Sequence, residues 1–573
     1  MHIFKKAVVL FICLLITIGL ISCNSLVNML QGNKEDNKAI VTEKPIHSER
    51  LKIDSSYYKN DDNNSIVYLY VTISKNQGES KYVFSDLAKD DYQNDDYQPE
   101  VSVLLQEGNE KGPQNGDFGY GLTDSNASMR VRGRSTRVSG TGFKSYKITL
   151  NNKVGEWNNN SELNLNKHPV DLTRMRNKLS FDYFKLIPDS ATLRTQFVHL
   201  YIKDLTKAKS DKDFVNYGLY THVEQADEKF LKRAGLDPSG NLYKTVFLEF
   251  HRYEDVLKNI DDPGYDKKKF EGYLEIKAGK DHSKLLKMLE DVNNESLDID
   301  LVVDTHFNRE NYLTWMAANL IMGNLDTYSQ NFYLYSPSNS LTWYFMPWDY
   351  DSAWGYLMQQ GQVHDKNSSW QNGLSNYGSS VLHTRFFAKK ANVDALTKKI
   401  EELRTIITKE NTAKMLEGYY GAVSKILSQE PDVSKLPFEF STIKNEIERI
   451  SNVPEENIAA YYESLKRPMP VFTGGPFDKP DNKQLFTWND SYCPDGSGVK
   501  YDLQIATDPG LKNLVIDAKD LTVSRYEMDR LPKGTYFFKL TIKSDSGKSQ
   551  VTFSTYVDDK GLRYEGVRKV VVE

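Results

Sequence analysis

Cysteine is scarce in this 573-residue sequence, which contains three. Cys13 and Cys23 belong to the first apolar segment, so Cys493 stands alone in the rest of the chain. One thiol cannot build a disulfide framework or a Cys-rich zinc site, and stability must come from the hydrophobic core. HExxH and GxSxG signatures are absent, and histidines such as His168 and His222 lack metal-ligand spacing. Zinc proteases and α/β-hydrolases are therefore poor matches.

The sequence also has no excess of positive charge. Its net charge is -5, although 26% of its residues are charged. No global basic field attracts nucleic acid, so we expect no nucleic-acid partner. Aromatic residues make up 12% of the sequence, which favours packed globular structure, and 573 residues are too many for one core. We therefore expect two or three domains.

The amino-terminal segment resembles a bacterial lipoprotein signal. Two lysines precede an apolar run over residues 7–21, and Ser22-Cys23 ends the run like a lipobox. The run is short for a membrane span. We predict a signal peptide over 1–22, lipidation of Cys23, a membrane anchor at the outer face of the bacterial cell, and a flexible tether over 23–50. An uncleaved signal anchor is the alternative.

The central region changes from strand patterns to helix patterns, which predicts an α+β fold with two lobes. From about 282 onward helices dominate, and Leu313, Met316, Ala317 and Leu320 mark one buried helical face that leads into Asp326. Strands are predicted over 66–73, 101–105, 127–132, 144–150, 195–202 and 217–223, and helices over 172–186, 226–234, 382–391, 393–408, 411–428, 440–451 and 454–466.

A cluster of proline and glycine around 468–480 predicts a linker after a domain that covers 51–468. Short alternating strands follow over 469–573 and predict an all-β sandwich. Trp488 and the corner formed by 531–536 resemble fibronectin type III modules. We expect this C-terminal module to bind a cell-surface polymer or protein.

One polar constellation indicates phosphoryl transfer. Asp326 follows a predicted helix, Asn331 comes five residues later, and Asp349 follows a predicted hairpin. Phosphoryl transfer uses one carboxylate for the acceptor hydroxyl and two oxygen ligands for magnesium, roles that we assign to Asp326 and to Asn331 with Asp349. Asp351 is a second candidate ligand. The alternative is that these residues only cap turns and helix starts; a glycosidase built on Asp349 and Asp351 fits poorly.

A second constellation is a loop rich in glycine and arginine that predicts a phosphate cradle. Arg132 and Ser135 open it, and backbone N–H groups and guanidinium groups can both approach an anion there. Lys144 and Lys147 follow on opposite faces of a strand, so one of them can point into a cleft. We favour Lys144 as the phosphate-pairing lysine. No P-loop signature occurs in this loop.

Glu224 ends a predicted strand where a hinge between the lobes would lie. It is a candidate for contact with the nucleotide or for pairing with a lysine, and a plain helix-start carboxylate is the alternative. Arg174, Arg176 and Lys178, on the preceding helix, are better explained as surface or salt-bridge groups than as catalytic ones.

Four ordered motifs within about 60–470 resemble the CotH (spore coat protein H) kinase-like family. They are the Arg132 to Thr136 segment with Lys144 to Ile148, the 218–224 strand, the 326–335 run and Pro347 to Asp351. The resemblance implies an atypical protein kinase fold that transfers phosphate from ATP to serine in proteins. It matches Asp326 to the catalytic-loop aspartate, Asn331 and Asp349 to the metal ligands, and Lys144 to the nucleotide lysine.

The expected cofactors are then ATP with Mg²⁺ or Mn²⁺, and the expected partner is a spore-coat or surface protein. We expect the chain at the outer face of the bacterial cell membrane, as the lipobox indicates, or on the spore surface, as the resemblance implies. The alternative function is a catalytically idle surface lipoprotein or adhesin that binds envelope, spore-coat or host ligands.

Overall fold

The computed structural model describes nine stretches of the chain. These are residues 50–51, 53, 55–59, 61–74, 81–89, 97–133, 144–206, 213–361 and 370–573. The predicted signal peptide, Cys23, the tether up to residue 49 and Ser135 lie outside these ranges. Within the described ranges, no helix is both long enough and apolar enough to cross a bilayer.

The first half of the chain is built on one closed β-sheet. Its described strands are β1 (Ile66–Ile73), β2 (Glu100–Asn109), β3 (Gly112–Pro113), β4 (Ala127–Arg132), β5 (Ser145–Leu150), β6 (Glu162–Asn166), β7 (Thr195–Asp204) and β8 (Val215–Val223). They pair in the order β1-β7-β8-β6-β5-β4-β2-β3, and β2 also pairs with β1. That last pairing closes a ring, which we call the barrel, and a closed ring exposes no strand edge. The six strands predicted for this region are present, whereas β3, β6 and the closure were not predicted.

Alternation along the strands separates the two faces of the barrel. Val131, Tyr146 and Ile148 point into a core that all the long strands of the barrel share. Arg132 and Lys147 occupy the opposite, outward phase of β4 and β5, where they are half-buried. Strand geometry therefore presents these cations on the outside of the barrel.

A second, antiparallel sheet carries the hairpin that the sequence predicts. Its strands are β9 (Asn241–Thr245), β10 (Leu274–Ala278), β11 (Phe332–Ser336) and β12 (Tyr344–Pro347), and they pair in the order β10-β9-β11-β12. One face packs into the core of the helical part through Phe332, Leu334 and Phe345. The other face, with Tyr333 and Trp348, contacts the segment between the two sheets.

Helices surround this second sheet. The described helices are α1 (Phe84–Ala88), α2 (Arg176–Leu186), α3 (Glu228–Arg233), α4 (Lys267–Glu271), α5 (Ser283–Asn293), α6 (Ile299–His306), α7 (Arg309–Met322), α8 (Val381–Phe387), α9 (Lys390–Arg404), α10 (Lys409–Leu427) and α11 (Ile443–Ser464). Helix α7 is capped by Asn308, whose side chain accepts from the N–H of Asn311, and it is buried along most of its length.

Helix α11 corrects one prediction. The sequence analysis predicts two helices, over 440–451 and 454–466, and Pro454 between them cannot donate a backbone hydrogen bond. The structure has one helix through Pro454. Ile450, Val453, Ile458 and Tyr461 continue one buried face past the proline, so packing outweighs the lost bond.

Buried ion pairs join α2 to its neighbours. Arg176 is fully buried and pairs with Asp171 and with Glu446 of α11. Lys178 is also buried and pairs with Asp182 at 2.9 Å. A surface location for these groups was therefore wrong, whereas the salt-bridge interpretation is confirmed.

A further buried pair joins the barrel to the segment before α11. Lys167 Nζ lies 2.9 Å from Asp432 Oδ1, with both side chains fully buried, and donates to the carbonyl of Tyr217 at 2.7 Å. The other oxygen of Asp432 accepts from the N–H of Leu219 at 2.7 Å. Gly218, at φ 79°, lets that carboxylate approach, because an added Cβ would collide with it. Burial lowers the pKa of Lys167 to about 7, against the opposing charge of Asp432.

The C-terminal part consists of β-sheets. Its strands are β13 (Thr473–Lys479), β14 (Lys483–Trp488), β15 (Val499–Ala506), β16 (Leu514–Leu521), β17 (Arg525–Asp529), β18 (Gly534–Ser544), β19 (Ser549–Val551), β20 (Thr555–Val557), β21 (Arg563–Glu565) and β22 (Val567–Val572). One sheet has the order β13-β14-β17, and the other has β16-β15-β18-β19 with β22 also on β18. Trp488 lies in their common core, and the hydroxyl of Tyr536 donates to the carbonyl of Pro532 at 2.9 Å. The α+β fold class is confirmed.

The Lys167–Asp432 pair should stabilise the fold mainly by avoiding an uncompensated buried charge. Asp432→Ala is expected to reduce the free energy of unfolding by about 3–5 kcal/mol, because Lys167 would stay buried without its partner. The double variant Lys167→Met with Asp432→Asn should lose much less, because Asn still accepts from Leu219. Urea unfolding of the full chain measures both.

The exposed pair between Lys483 and Asp529, at 2.7 Å, supplies a matched control. Asp529→Ala should change the free energy of unfolding by less than about 1 kcal/mol. Equal losses for Asp432→Ala and for the double variant would contradict this account.

Candidate active site

The loop that follows α7 is held in place by the end of the helix and by side-chain hydrogen bonds from neighbouring segments. The helix ends at Gly323, which has φ 64° and has no room for a Cβ because Asn457 Nδ2 would lie 2.5 Å away. A short 3-10 turn follows at Leu325–Thr327. Asn376 Nδ2 donates to the carbonyl of Leu325 at 3.1 Å, and the hydroxyls of Thr327 and Tyr377 lie 3.0 Å apart. Helix end and side-chain bonds together position the loop 323–331.

Asp326 lies in this loop with both carboxylate oxygens engaged. Gln330 Nε2 donates to Oδ1 at 2.6 Å, and Asn331 Nδ2 donates to Oδ2 at 2.7 Å. Burial, together with the charges of Asp349 and Asp351, raises the pKa of Asp326 to about 7, although the hydrogen bond from Gln330 opposes the rise. The carboxyl group therefore titrates near neutral pH, the range suited to a general base.

The β11–β12 hairpin places Asn331 and Asp349 together. Phe332 pairs with Pro347 in the ladder, so the residues just outside the ladder, Asn331 and Trp348 with Asp349, lie at the same end of the hairpin. Asn331 has φ 61° and Asp349 has φ 58°, a left-handed conformation that is uncommon outside glycine. Non-glycine residues with a left-handed backbone cluster at active sites, so two of them at one end of the hairpin favour a functional site there.

Asp351 adds a third carboxylate to Asp326 and Asp349, and it contacts the segment that follows β6 of the barrel. Its Oδ2 lies 3.1 Å from Nδ1 of His168, a buried residue that follows β6 and has φ 48°. The guanidinium of Arg174 donates to the carbonyl of Lys167 at 2.7 Å and also to that of His168. We call Asp326, Asp349 and Asp351 the acidic group.

The acidic group has the character of a cation site. Burial, and then the charge of Asp351, raise the pKa of Asp349, while His168, Lys244 and Arg132 act against the rise. A bound cation would relieve this crowding of carboxylates. In the described residues, no cluster of three or more His, Cys, Asp or Glu side chains forms a metal cage. Two carboxylates and the Oδ1 of Asn331 nevertheless fit Mg²⁺, which also takes ligands from phosphates and water.

The predicted phosphate-binding residues have different settings. Arg132 reaches the acidic side: its guanidinium lies over the Trp348 ring at 5.9 Å and donates to Asn166. Lys147 pairs with Glu162 at 2.7 Å. The backbone carbonyl of Lys144 accepts from the hydroxyl of Tyr220 at 3.1 Å. Neither lysine is among the cations with the largest effect on the pKa of Asp349.

Glu224 is buried in a cluster of its own. Its fully buried carboxylate lies 3.1 Å from Nη2 of Arg194 and 2.8 Å from Nη2 of Arg233, and it accepts from the hydroxyl of Tyr57. It also accepts from the N–H of Arg194 at 3.2 Å. The observed partners are arginines and a tyrosine, where the sequence suggested a lysine or a nucleotide. They hold the chain before β1 against the turn after β8.

Sequence reasoning missed two residues of this site. His168 was set aside because it lacked ligand spacing, yet the fold brings it to Asp351 from 183 positions away. Lys244 lies on β9 with its Nζ 5.4 Å from the centroid of the Trp348 ring. The available signal was a single lysine within the short strand Asn241–Thr245, which is otherwise uncharged.

Comparison with known proteins identifies relatives of this chain. A family model described as "CotH kinase protein" matches residues 129–460, which include every residue of the acidic group. The "Inner spore coat protein H" of Bacillus subtilis (strain 168) is 27% identical over 199 residues, which is 34% of this chain and 50% of that protein. The alignment thus spans about half the length of this relative.

The left-handed backbone of Asn331 generates a stability prediction. Asn331→Ala and Asn331→Gly both lose the bond to Asp326, but only alanine is strained at φ 61°. We expect Asn331→Ala to be less stable than Asn331→Gly by about 1 kcal/mol in urea unfolding.

Asn452, inside α11, supplies the control because its backbone is helical. There the order should reverse, with Asn452→Gly less stable than Asn452→Ala by about 1 kcal/mol. The same order of stability at both positions would show that backbone strain does not act at Asn331.

Proposed function

The chain belongs to the CotH kinase protein family, and on this premise we propose that it is an atypical protein kinase that transfers the γ-phosphate of ATP to serine residues of spore-coat or cell-surface proteins. The observation that carries the proposal is the meeting of Asp326, Asn331 and Asp349 at the open end of one hairpin. Phosphoryl transfer needs little covalent chemistry from a protein, but it needs this kind of positioning.

Asp326 has the setting of the residue that orients the acceptor. Its carboxylate is aimed by Gln330 and Asn331, and its raised pKa lets it accept a proton near pH 7. The serine Oγ forms a bond to the γ-phosphorus as its proton passes to Asp326. The bond from the γ-phosphorus to the bridging oxygen breaks, and ADP leaves with the electron pair.

Asn331 and Asp349 would hold the divalent ion, with Asp351 as the further carboxylate. Bound Mg²⁺ or Mn²⁺ supplies positive charge to the phosphate oxygens. The protein residues keep these ligands close despite their repulsion: the hairpin fixes their backbones, and His168 orients Asp351 from the barrel side.

The protein substrate and the location of the enzyme form part of the same proposal. The related Bacillus subtilis protein is named as an inner spore coat protein, which supports association with a spore surface. The lipobox at Cys23 supports an anchor on the outer face of the membrane. Both observations support surface proteins as the proposed substrates.

The C-terminal sheets favour a second candidate function. A β-sandwich with a buried Trp488 and a tyrosine bond at its corner is a frequent binding module in surface proteins. In that case the protein binds an envelope, spore-coat or host ligand without turnover. A ligand bound equally well by the wild type and by Asp349→Asn, in the absence of nucleotide binding, would favour this function.

The test of the kinase function is transfer of labelled γ-phosphate. The full chain is incubated with ATP and Mg²⁺ or Mn²⁺, with itself and a serine-rich basic peptide as acceptors. Asp326→Asn and Asp349→Asn should each lower the rate by at least about 100-fold, because each removes an interaction made in the transition state. The substitutions change charge and leave side-chain volume almost unchanged.

Asp559→Asn is the matched control, since this aspartate is exposed in the C-terminal part. Its rate should equal that of the wild type. A wild type that transfers no phosphate with either metal, or an Asp349→Asn variant with the wild-type rate, would overturn the proposal.

A further inference from the structure

Two cations from different parts of the fold meet on one tryptophan ring beside the acidic group. The Arg132 guanidinium, at the end of β4, lies 5.9 Å from the centroid of the Trp348 ring. The ammonium of Lys244, on β9, lies 5.4 Å from the same centroid. Trp348 directly precedes Asp349 in the chain. The two cations therefore flank the segment that carries the proposed metal ligand.

The second sheet fixes the side of β9 on which Lys244 lies. Lys244 pairs with Tyr333 of β11, two residues after Asn331, and with Glu275 of β10. Tyr333 and Trp348 belong to the same packed cluster on one face of this sheet. Paired residues in antiparallel strands share a face, so Lys244 points to the Trp348 side.

Glu275 pairs with Lys244, but its single negative charge does not balance all the cations of this region. Its Oε1 lies 3.6 Å from Lys244 Nζ, and its Oε2 lies 2.8 Å from Lys277 Nζ. One carboxylate thus serves two lysines, and Arg132 adds a third cation to the pKa balance of the region. The Lys244 side chain is 24% exposed, so a ligand can reach part of it.

Arg132 is oriented by the barrel. Its guanidinium donates to the side chain of Asn166 on β6, and Arg132 is the last residue of its strand. The acidic group and these cations lie on adjoining parts of one site, because the charges of His168, Lys244 and Arg132 all lower the pKa of Asp349. A ligand that satisfies both parts must present anionic oxygens and a divalent cation together, as a metal-bound polyphosphate does.

We propose that Lys244, held by Glu275, and Arg132 form the site that binds the polyphosphate chain of the nucleotide. The inference rests on the proposed kinase function and deepens it. The role expected of Lys144 or Lys147 passes to Lys244, which reaches the acidic group from the second sheet. The Lys244–Glu275 pair then acts as a positioning device, because the carboxylate restrains the ammonium until phosphate oxygens share it.

The first measurement is binding, with no turnover required. A fluorescent ATP analogue and inorganic tripolyphosphate are titrated into the full chain with Mg²⁺. Lys244→Met keeps an unbranched apolar side chain and removes the charge, and its dissociation constant for both probes should rise about 10- to 100-fold. Lys147→Met, the matched control, should change it less than about 3-fold.

A second measurement avoids any variant that fails to fold. Wild-type protein is labelled with an amine-reactive reagent with and without ATP and Mg²⁺, and the labelled lysines are quantified by mass spectrometry. Lys244 should be protected by the nucleotide at least about 5-fold relative to Lys147, because bound phosphate oxygens would cover its ammonium. Unchanged labelling of Lys244, or protection confined to Lys144 or Lys147, would overturn the inference.

The outcomes separate this inference from the proposed function. Phosphate transfer that depends on Asp326 and Asp349 while Lys244→Met binds nucleotide like the wild type would overturn the inference and leave the kinase standing. If Lys244→Met loses nucleotide binding while the wild type binds nucleotide but transfers no phosphate, the binding site is supported and the kinase function is overturned. A wild type that binds neither probe would overturn the inference directly.

Discussion

Repulsion among three carboxylates is the constraint on which the site depends. Asp326, Asp349 and Asp351 are close enough that each of the latter two raises the pKa of the first. Such crowding is unfavourable in an isolated protein and persists only where the surrounding fold fixes the backbone. Here the fixing elements are the ladder end at Phe332 and Pro347 and the left-handed backbones of Asn331 and Asp349. The structure thereby holds a negative site ready for positive charge.

The supports of this site come from three separate parts of the molecule. The barrel contributes Arg132 and the segment with His168, the second sheet contributes Lys244, and α7 ends in the loop with Asp326. Because no single element contains the site, the relative position of these parts must be fixed. Fully buried ion pairs such as Lys167 with Asp432 join the barrel to the helical part. Removing one partner of such a pair would leave a buried charge, so the pairs strongly disfavour separation.

The C-terminal sheets are physically continuous with the site. The ring centroids of Phe553 and Trp370 lie 5.1 Å apart, and Phe553 also lies near Gly378. The turn over Gly373–Tyr377 between these residues supplies Asn376 and Tyr377, which hold the loop around Asp326. A contact chain of packed side chains and hydrogen bonds therefore runs from the β-sandwich to the proposed base. The sandwich belongs to the structural support of the site as well as to any binding role.

Local sequence determined the elements whose signal is local. The apolar period of Leu313 to Leu320 defined α7, and the alternating run around Phe332 with its turn defined the hairpin, so the meeting of Asn331 and Asp349 followed from strand register. Only the tertiary structure decided that α11 continues through Pro454, that β1 closes onto β2, and that His168 and Lys244 reach the acidic group. Glu224, in turn, is held by arginines from other elements. The physical reason is that periodicity and turn chemistry act over a few residues, whereas burial and charge depend on which distant segments pack together.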